Sequence, residues 1–264
     1  RPPMVSDLTD DNVARMMQYL GDRELAAKTI NERRGRIHTL WQWLTRRGVL
    51  QTGPTTGRIP EPVRTPVAWT EDEVSRLFES CRNQEGWIGR VQASVWWTSL
   101  HYVLWDTGER IRALLRLPWE FVDLQSGWIT IPAELRKGKR SDRAYKVRPE
   151  TVAALELAEQ PMRELVWPWP YHETYLWTKY RGLLKEAGLP ATRHRMFHCM
   201  RRSVASHFES AGGDATAFLG HCSRKVTEGY LDPRIVPQVH AAELLPFPGA
   251  NRGEDGHGRR SVRT

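Results

Sequence analysis

The chain has 264 residues, enough for a sizeable core, with 40% hydrophobic and 27% charged residues in ordinary globular proportions. A net charge of +8 and a pI near 9.7 suit a polyanionic partner, nucleic acid or an anionic membrane surface. Three cysteines without C-x-x-C spacing argue against a disulfide framework and for a reducing, cytoplasmic setting, and no apolar run reaches the ~20 residues of a membrane-spanning helix.

Residues 1–50 read as an all-helical region. Thr9 is placed to cap a helix with Val13, Met16, Met17 and Leu20 at i, i+3, i+4, i+7 spacing. A second helix is predicted from about Leu25 to Arg47, with Ile30, Ile37, Leu40, Trp41 and Leu44 on one face and Arg33, Arg34, Arg36, Arg46 and Arg47 on the other. On an isolated helix such arginines are ordinarily a solvated surface. From Gln51 the periodicity stops, and Pro54, Pro60, Pro62 and Pro66 mark 51–68 as an extended, semi-rigid linker between domains.

A capping box, Thr70 with Glu73, then opens a helix with Val74, Leu77 and Phe78 inward. A longer helix is predicted from Trp87 to Asp106, followed by a short helical run from Arg110 to Leu117. Arg110 is unusual there, because an arginine in an apolar helix is rarely buried unless paired. Trp128–Ile131 and Ala144–Val147 read as a strand pair around the basic stretch ELRKGKRSDR. Helices are expected over Glu150–Glu159, Glu173–Ala187 and His198–Ala211, with short ones up to Tyr230. Residues 248–264, rich in Gly, Arg and polar side chains, read as a disordered tail. The predicted fold is mainly α with a small antiparallel β-hairpin in a catalytic domain (69–247), preceded by the small helical domain (1–50).

Taken singly, the chemical residues are ambiguous: a lone tyrosine is usually packing, and lysines at a turn are usually a solvated tip. Their order is more informative. TGERIRALLRLPWEFVD, Thr107 to Asp123, resembles the first signature of the tyrosine recombinases, the phage-integrase family, with its arginine at Arg110. The hairpin lysine falls in RKGKR, at Lys137 or alternatively Lys139. H-x-x-R matches His198 and Arg201, L-G-H matches Leu219 to His221, and T-x-x-Y matches Thr227 to Tyr230. The resemblance covers roughly residues 69–235, and the helical region looks like the C-terminal part of the family's core-binding domain, truncated at its N-terminus. One departure stands out: the family's acid three residues after the first arginine is Ala113 here, so Arg110 needs another partner.

The resemblance implies roles. Tyr230 is the nucleophile toward a DNA phosphate, with His198 as base, Arg110, Arg201 and His221 on the phosphate oxygens, and Lys137 as acid for the leaving 5′ oxygen. These match the chemistry, since a phenol of pKa ~10 needs a base as it attacks, and guanidinium forks fit phosphate oxygens. The product is a 3′-phosphotyrosyl DNA whose bond energy is retained, so no cofactor, metal or ATP is required. Strand exchange then passes through a Holliday junction, on a homo-tetramer bound to double-stranded DNA, in integration or excision of a mobile element. The two domains are expected to clamp the duplex, with Arg33, Arg34, Arg36, Arg46, Arg47, Arg193, His194 and Arg195 as backbone contacts. Val236 to Phe247 suits either core or a C-terminal helix exchanged between protomers. Alternatives are a type IB topoisomerase, a catalytically silent DNA-binding member of the fold, and a metal protein using His194, His198, Cys199, His221 and Cys222. The last has incomplete ligand spacing.

Overall fold

The computed structural model describes residues 2–136, 138, 141–160 and 162–237. The lysines Lys137 and Lys139, most of the segment 236–247 and the tail 248–264 lie outside the described residues. Two compact units divide the chain, Arg1–Arg64 and Thr65–Thr264.

In the first unit, Thr9 accepts from the Asn12 amide (3.2 Å) and starts α1 (Asp10–Asp22), which packs on α2 (Ala27–Arg46). Their shared core is Val13, Leu20, Ile30, Trp41 and Leu44. Leu40, expected inward, is half exposed, while His38 is buried in its stead. At 3.6 residues per turn, Leu40 and Trp43 fall on the side of Arg33, Arg36 and Arg47, turned roughly 100° from the centre of the core face. Arg34 and Arg46 lie off that side, so the five arginines do not form one face.

In the proline-rich segment, expected as an extended, semi-rigid linker over 51–68, residues 52–59 are bonded to the first two helices. Prolines lack a backbone N–H and cannot form a regular ladder, so the remaining polar groups take partners from the helices. The Asp10 carboxylate accepts the Thr55 and Thr56 amides (2.9 and 2.7 Å) and both hydroxyls. Asn31 exchanges hydrogen bonds with the Ile59 backbone (2.8 and 3.1 Å), and the Trp41 indole donates to the Thr52 carbonyl (2.7 Å). Thus 52–59 form a strap along α1 and α2.

The second unit begins with the capping box of α3 (Glu71–Arg82), in which Thr70 and Glu73 satisfy each other's amides. The helix expected from Trp87 starts late. Gly86 and Gly89 have φ of +84° and +60°, and these left-handed residues instead build a tight hairpin of β1 (Trp87–Ile88) and β2 (Val91–Gln92). Then α4 (Ala93–Thr107) runs through the middle of the core, with Trp96, Trp97, Leu100, Val103 and Leu104 buried, packed against α3 and against α6 and α8 introduced below. A short α5 (Ile111–Leu114) follows, and Arg110 is its N-cap in extended backbone, not a residue inside it.

β3 (Val122–Asp123), β4 (Trp128–Ile131) and β5 (Arg143–Lys146) form a three-stranded antiparallel sheet in that order. Its alternation leaves Ile129, Ile131 and Tyr145 buried. Next come α6 (Pro149–Ala158), α7 (Glu173–Glu186), α8 (Phe197–Ser210), α9 (Ala215–Leu219) and α10 (Arg224–Glu228). Phe197 at the start of α8 stacks on Tyr180 of α7 at 3.7 Å between ring centroids, within a buried group that includes Trp97 and His101. That stack fixes the rotation of α8. The fold is mainly helical with small antiparallel sheets. Among the described residues no helix is long and apolar enough to cross a membrane.

Candidate active site

Arg201 is 1% exposed on α8, an unusual place for a guanidinium, and its surroundings account for it. Nη1 donates to the Gly108 carbonyl (2.5 Å) and Nη2 to the Leu219 carbonyl (3.0 Å). Both carbonyls sit at the C-terminal ends of helices, where backbone acceptors lack intrahelical partners and negative partial charge accumulates. Each end closes with a left-handed glycine. A Cβ at Gly108 (φ +58°) would meet Leu219, Val204 and Phe218 at 3.1–3.3 Å, and one at Gly220 (φ +68°) would meet the Arg143 guanidinium at 2.7 Å. The glycines of the T-G-x-R and L-G-H motifs therefore allow the two loops to converge on one arginine. Arg201 Nε, also buried, has no partner.

Around Arg201 stand His198, His221 and Tyr230. His221 Nε2 is 3.5 Å from Arg201 Nη2, and its Nδ1 is 3.0 Å from the Thr227 hydroxyl. The Tyr230 ring lies 4.6 Å from the His221 ring and 5.0 Å from the His198 ring, centroid to centroid, with the Arg201 guanidinium 5.9 Å from its centre. His198 keeps an exposed edge, and its pKa is lowered to about 4 by partial withdrawal from water in the pocket and then by Arg202, Arg201 and Arg110. His221 is lowered to about 4 by the same withdrawal from water and by Arg201, Arg110 and Arg143. Both imidazoles are neutral at pH 7, the state in which His198 can accept a proton. Because the Arg201 guanidinium only donates, Nε2 of neutral His221 accepts from it here and Nδ1 donates to Thr227; donation from Nε2 to a ligand takes the other tautomer, with the Thr227 hydroxyl donating to Nδ1.

Arg110, His198 and Arg201 line a cavity of about 460 Å³, joined by Arg112, Arg181, Arg193 and an apolar floor that includes Trp177 and Phe197. Among the described residues the Arg110 guanidinium makes no hydrogen bond or ion pair, and Arg110 lines this cavity. One acid lines this cavity, Glu109, 1% exposed. Its carboxylate accepts from Arg136 Nε (2.9 Å), the Tyr145 hydroxyl (2.8 Å) and the Arg110 amide (3.1 Å), and faces Arg201 Nη1 at 3.8 Å. Burial opposes its charge, yet Arg201 and Arg136 outweigh that and hold it below the usual carboxylate range. The same charge and burial push the Tyr145 phenol upward.

Arg110, His198 and Arg201 thus line one cavity, and His221 and Tyr230 pack beside the latter two, residues separated by up to 120 positions in the chain. Lys137 and Lys139 lie outside the described residues; on either side of them, Arg136 Nη1 donates to the Ser141 carbonyl (3.1 Å). Of the expected DNA contacts, Arg33, Arg36, Arg46, Arg47, Arg193 and His194 are exposed. Two others have internal work. Arg34 donates to the Thr56 carbonyl (2.7 Å), and Arg195 lies 4.7 Å over the Trp69 ring and donates to the Ala68 carbonyl (3.3 Å). Glu109, Arg112, Trp177 and Arg181 were not legible as site residues. Cys199 is buried, with its thiol raised to about 11 by burial, and points to the Val67 carbonyl. No group of three or more His, Cys, Asp or Glu among the described residues could hold a metal.

The phage integrase family model matches residues 68–235, about two thirds of the chain and the whole of this site. The chain belongs to that family. It is a tyrosine recombinase by descent, a class of DNA strand-transferases. Among its relatives is the tyrosine recombinase XerC of Xylella fastidiosa (strain M23), 26% identical over 236 residues that cover 83% of this chain and 76% of that protein. In fold it is similar to the Tn1549 transposon integrase solved in complex with circular intermediate DNA, at TM-score 0.67 and 14% identity, over 92% of this chain and 87% of that one. A lambda integrase tetramer bound to a Holliday junction matches at TM-score 0.63 and 17% identity, over 87% and 66%.

Proposed function

We propose that this phage-integrase family member recombines double-stranded DNA at specific sites through a 3′-phosphotyrosyl intermediate on Tyr230, without metal or ATP. The observation that carries the reading is the enclosure of the Tyr230 ring by His198, His221 and Arg201 of the same chain. The Tyr230 oxygen attacks phosphorus, its proton passes to His198, and the bond from phosphorus to the 5′ oxygen breaks. That oxygen takes a proton from the hairpin lysine, Lys137 or Lys139, and leaves as a hydroxyl. Arg110, Arg201 and His221 donate to the non-bridging oxygens, whose charge rises at the pentavalent stage. The bound phosphate also offsets the arginines around His198 and makes it a better base. A 5′ hydroxyl from a partner strand reverses the steps on a new duplex.

Arg181 and Arg193 extend the positive charge of the cavity beyond the reacting phosphate, as a strand of DNA requires, while Arg112 is paired with Glu173 (2.7 Å). Two cleaving protomers on each of two duplexes give a tetramer and a Holliday junction, a species on which lambda integrase has been captured. A mobile element is the substrate that best fits a relationship to transposon and phage integrases.

The test uses a pool of nicked duplexes with randomised cores, in which a cleaved strand loses its short 5′-hydroxyl fragment and the adduct is trapped. Wild-type protein should yield a covalent complex that survives denaturing gels, and Tyr230→Phe none. An adduct on Tyr230→Phe, or none on wild type at any core sequence, overturns the reading.

A further inference from the structure

The family's usual acid three residues beyond the first arginine is Ala113 here, 2% exposed and without any charge to offer. Yet the cavity holds Arg110 and Arg201 side by side, close enough that Arg110 is among the groups depressing the Arg201 pKa, after burial itself. Two such cations need a nearby anion when no phosphate is bound. Glu109 is the acid in place. It reaches the site from the backbone residue directly before Arg110, and its carboxylate is enclosed by groups from three separate elements: Arg201 of α8, Tyr145 of β5 and Arg136 at the end of the β4 side of the hairpin.

We propose that Glu109 is the positioning residue of the phosphate site, holding Arg201 in its catalytic orientation and anchoring the stem of the β4–β5 hairpin to the same point through Arg136. This rests on the proposed strand-cleavage function. The Oε2 side faces Arg201 and also accepts the Arg110 amide, at the N-cap of α5. The Oε1 side takes Arg136 and Tyr145, one from each side of the hairpin, so the sheet cannot drift from the arginines without breaking these bonds. Glu109 itself does not donate to substrate. It acts through the arginines.

The experiment compares cleavage by wild type, Glu109→Gln, Glu109→Asp and Tyr145→Phe on the selected nicked duplex, with the scissile phosphate either natural or replaced by a methylphosphonate. The methylphosphonate lacks the negative charge that the arginines neutralise. Glu109→Gln keeps the volume and loses the charge, so adduct formation on the natural phosphate should fall about 10- to 100-fold. On the methylphosphonate the deficit should shrink to within roughly threefold of wild type. Glu109→Asp should retain more activity than Glu109→Gln. If Glu109→Gln fails to fold, Tyr145→Phe carries the test: it leaves both charges and loosens one oxygen, and should show a smaller deficit with the same substrate dependence. An equal deficit on both phosphates indicates a merely structural role and overturns the inference, as does full activity of Glu109→Gln. Absence of any wild-type adduct overturns the function itself and is distinguishable from either result.

Discussion

Burial and nearby cations change what a histidine side chain does in this protein. His101 is fully enclosed beside Trp97 and Tyr180, and burial lowers its pKa to about 4. His198 and His221 reach the same value in the arginine-lined pocket. In the unfolded chain each returns to about 6.5. Between those values the unfolded state binds more protons, so stability is full above about pH 6.5 and is lost as pH falls toward 4. The DNA-free protein should accordingly melt roughly 5 °C or more lower at pH 5 than at pH 7.5, His101 contributing most because it is the least solvated. A thermal scan with an unchanged midpoint over that range would refute the assignment. The residues proposed to react were legible because each sits in a short motif whose spacing is set by one helix or one loop: His198 and Arg201 a turn apart, His221 behind a glycine that lets its loop close on Arg143. Glu109 was not, because it occupies the unspecified position of T-G-x-R and acquires meaning only when Arg136 and Tyr145 arrive from the sheet.

Among the elements, the strap of residues 52–59 shows how a segment without periodicity acquires structure. Its order comes from side chains that sequence patterns assign elsewhere: Asp10, which looks like a first-turn helix acid, and Asn31 and Arg34, which look like helix surface. Hydrogen bonds from both threonines hold the Asp10 carboxylate well below its ordinary range. Asp10→Ala should release the strap, accelerating hydrogen exchange of the Thr55 and Thr56 amides by roughly tenfold or more while the amides of α1 keep their protection. Unchanged exchange would mean that Asn31 and Trp41 suffice. The displaced start of α4 has a similar cause. Tryptophans and leucines suit a helix from residue 87, but two left-handed glycines are a local constraint that hydropathy does not register.

For the whole molecule, charge is distributed with a purpose that the net value of +8 conceals. On α2 the outward side combines Arg33, Arg36 and Arg47 with the half-exposed Leu40 and Trp43, and the Arg47 guanidinium lies 5.1 Å over the Trp43 ring. Arg34, held by Thr56, is not part of it. Phosphate contacts weaken with salt in proportion to their number. Replacing Arg33, Arg36 and Arg47 with alanine should reduce the slope of log affinity against log salt by about 2 to 3 for duplex DNA, whereas Arg34→Ala should leave the slope unchanged. Equal effects of the two variants would refute this division of labour.

Where the chain enters the second unit, the Ala68 amide donates to Asp232 (2.8 Å), the Trp69 amide to Ser203 (2.6 Å), and the Asp232 amide to Ser206 (2.9 Å). Asp232 is 1% exposed; burial works against its charge, but Arg234 and the Ala68 amide prevail and keep its pKa at about 2. It lies two residues beyond Tyr230, whose carbonyl also accepts from Ser206 (3.3 Å). Mechanically this is a load path: the first anchors the backbone meets beyond Arg64 are the Cys199 thiol on the Val67 carbonyl and the Asp232 carboxylate on the Ala68 amide, so tension at the start of the second unit is shared between α8 and a residue two positions from the tyrosine.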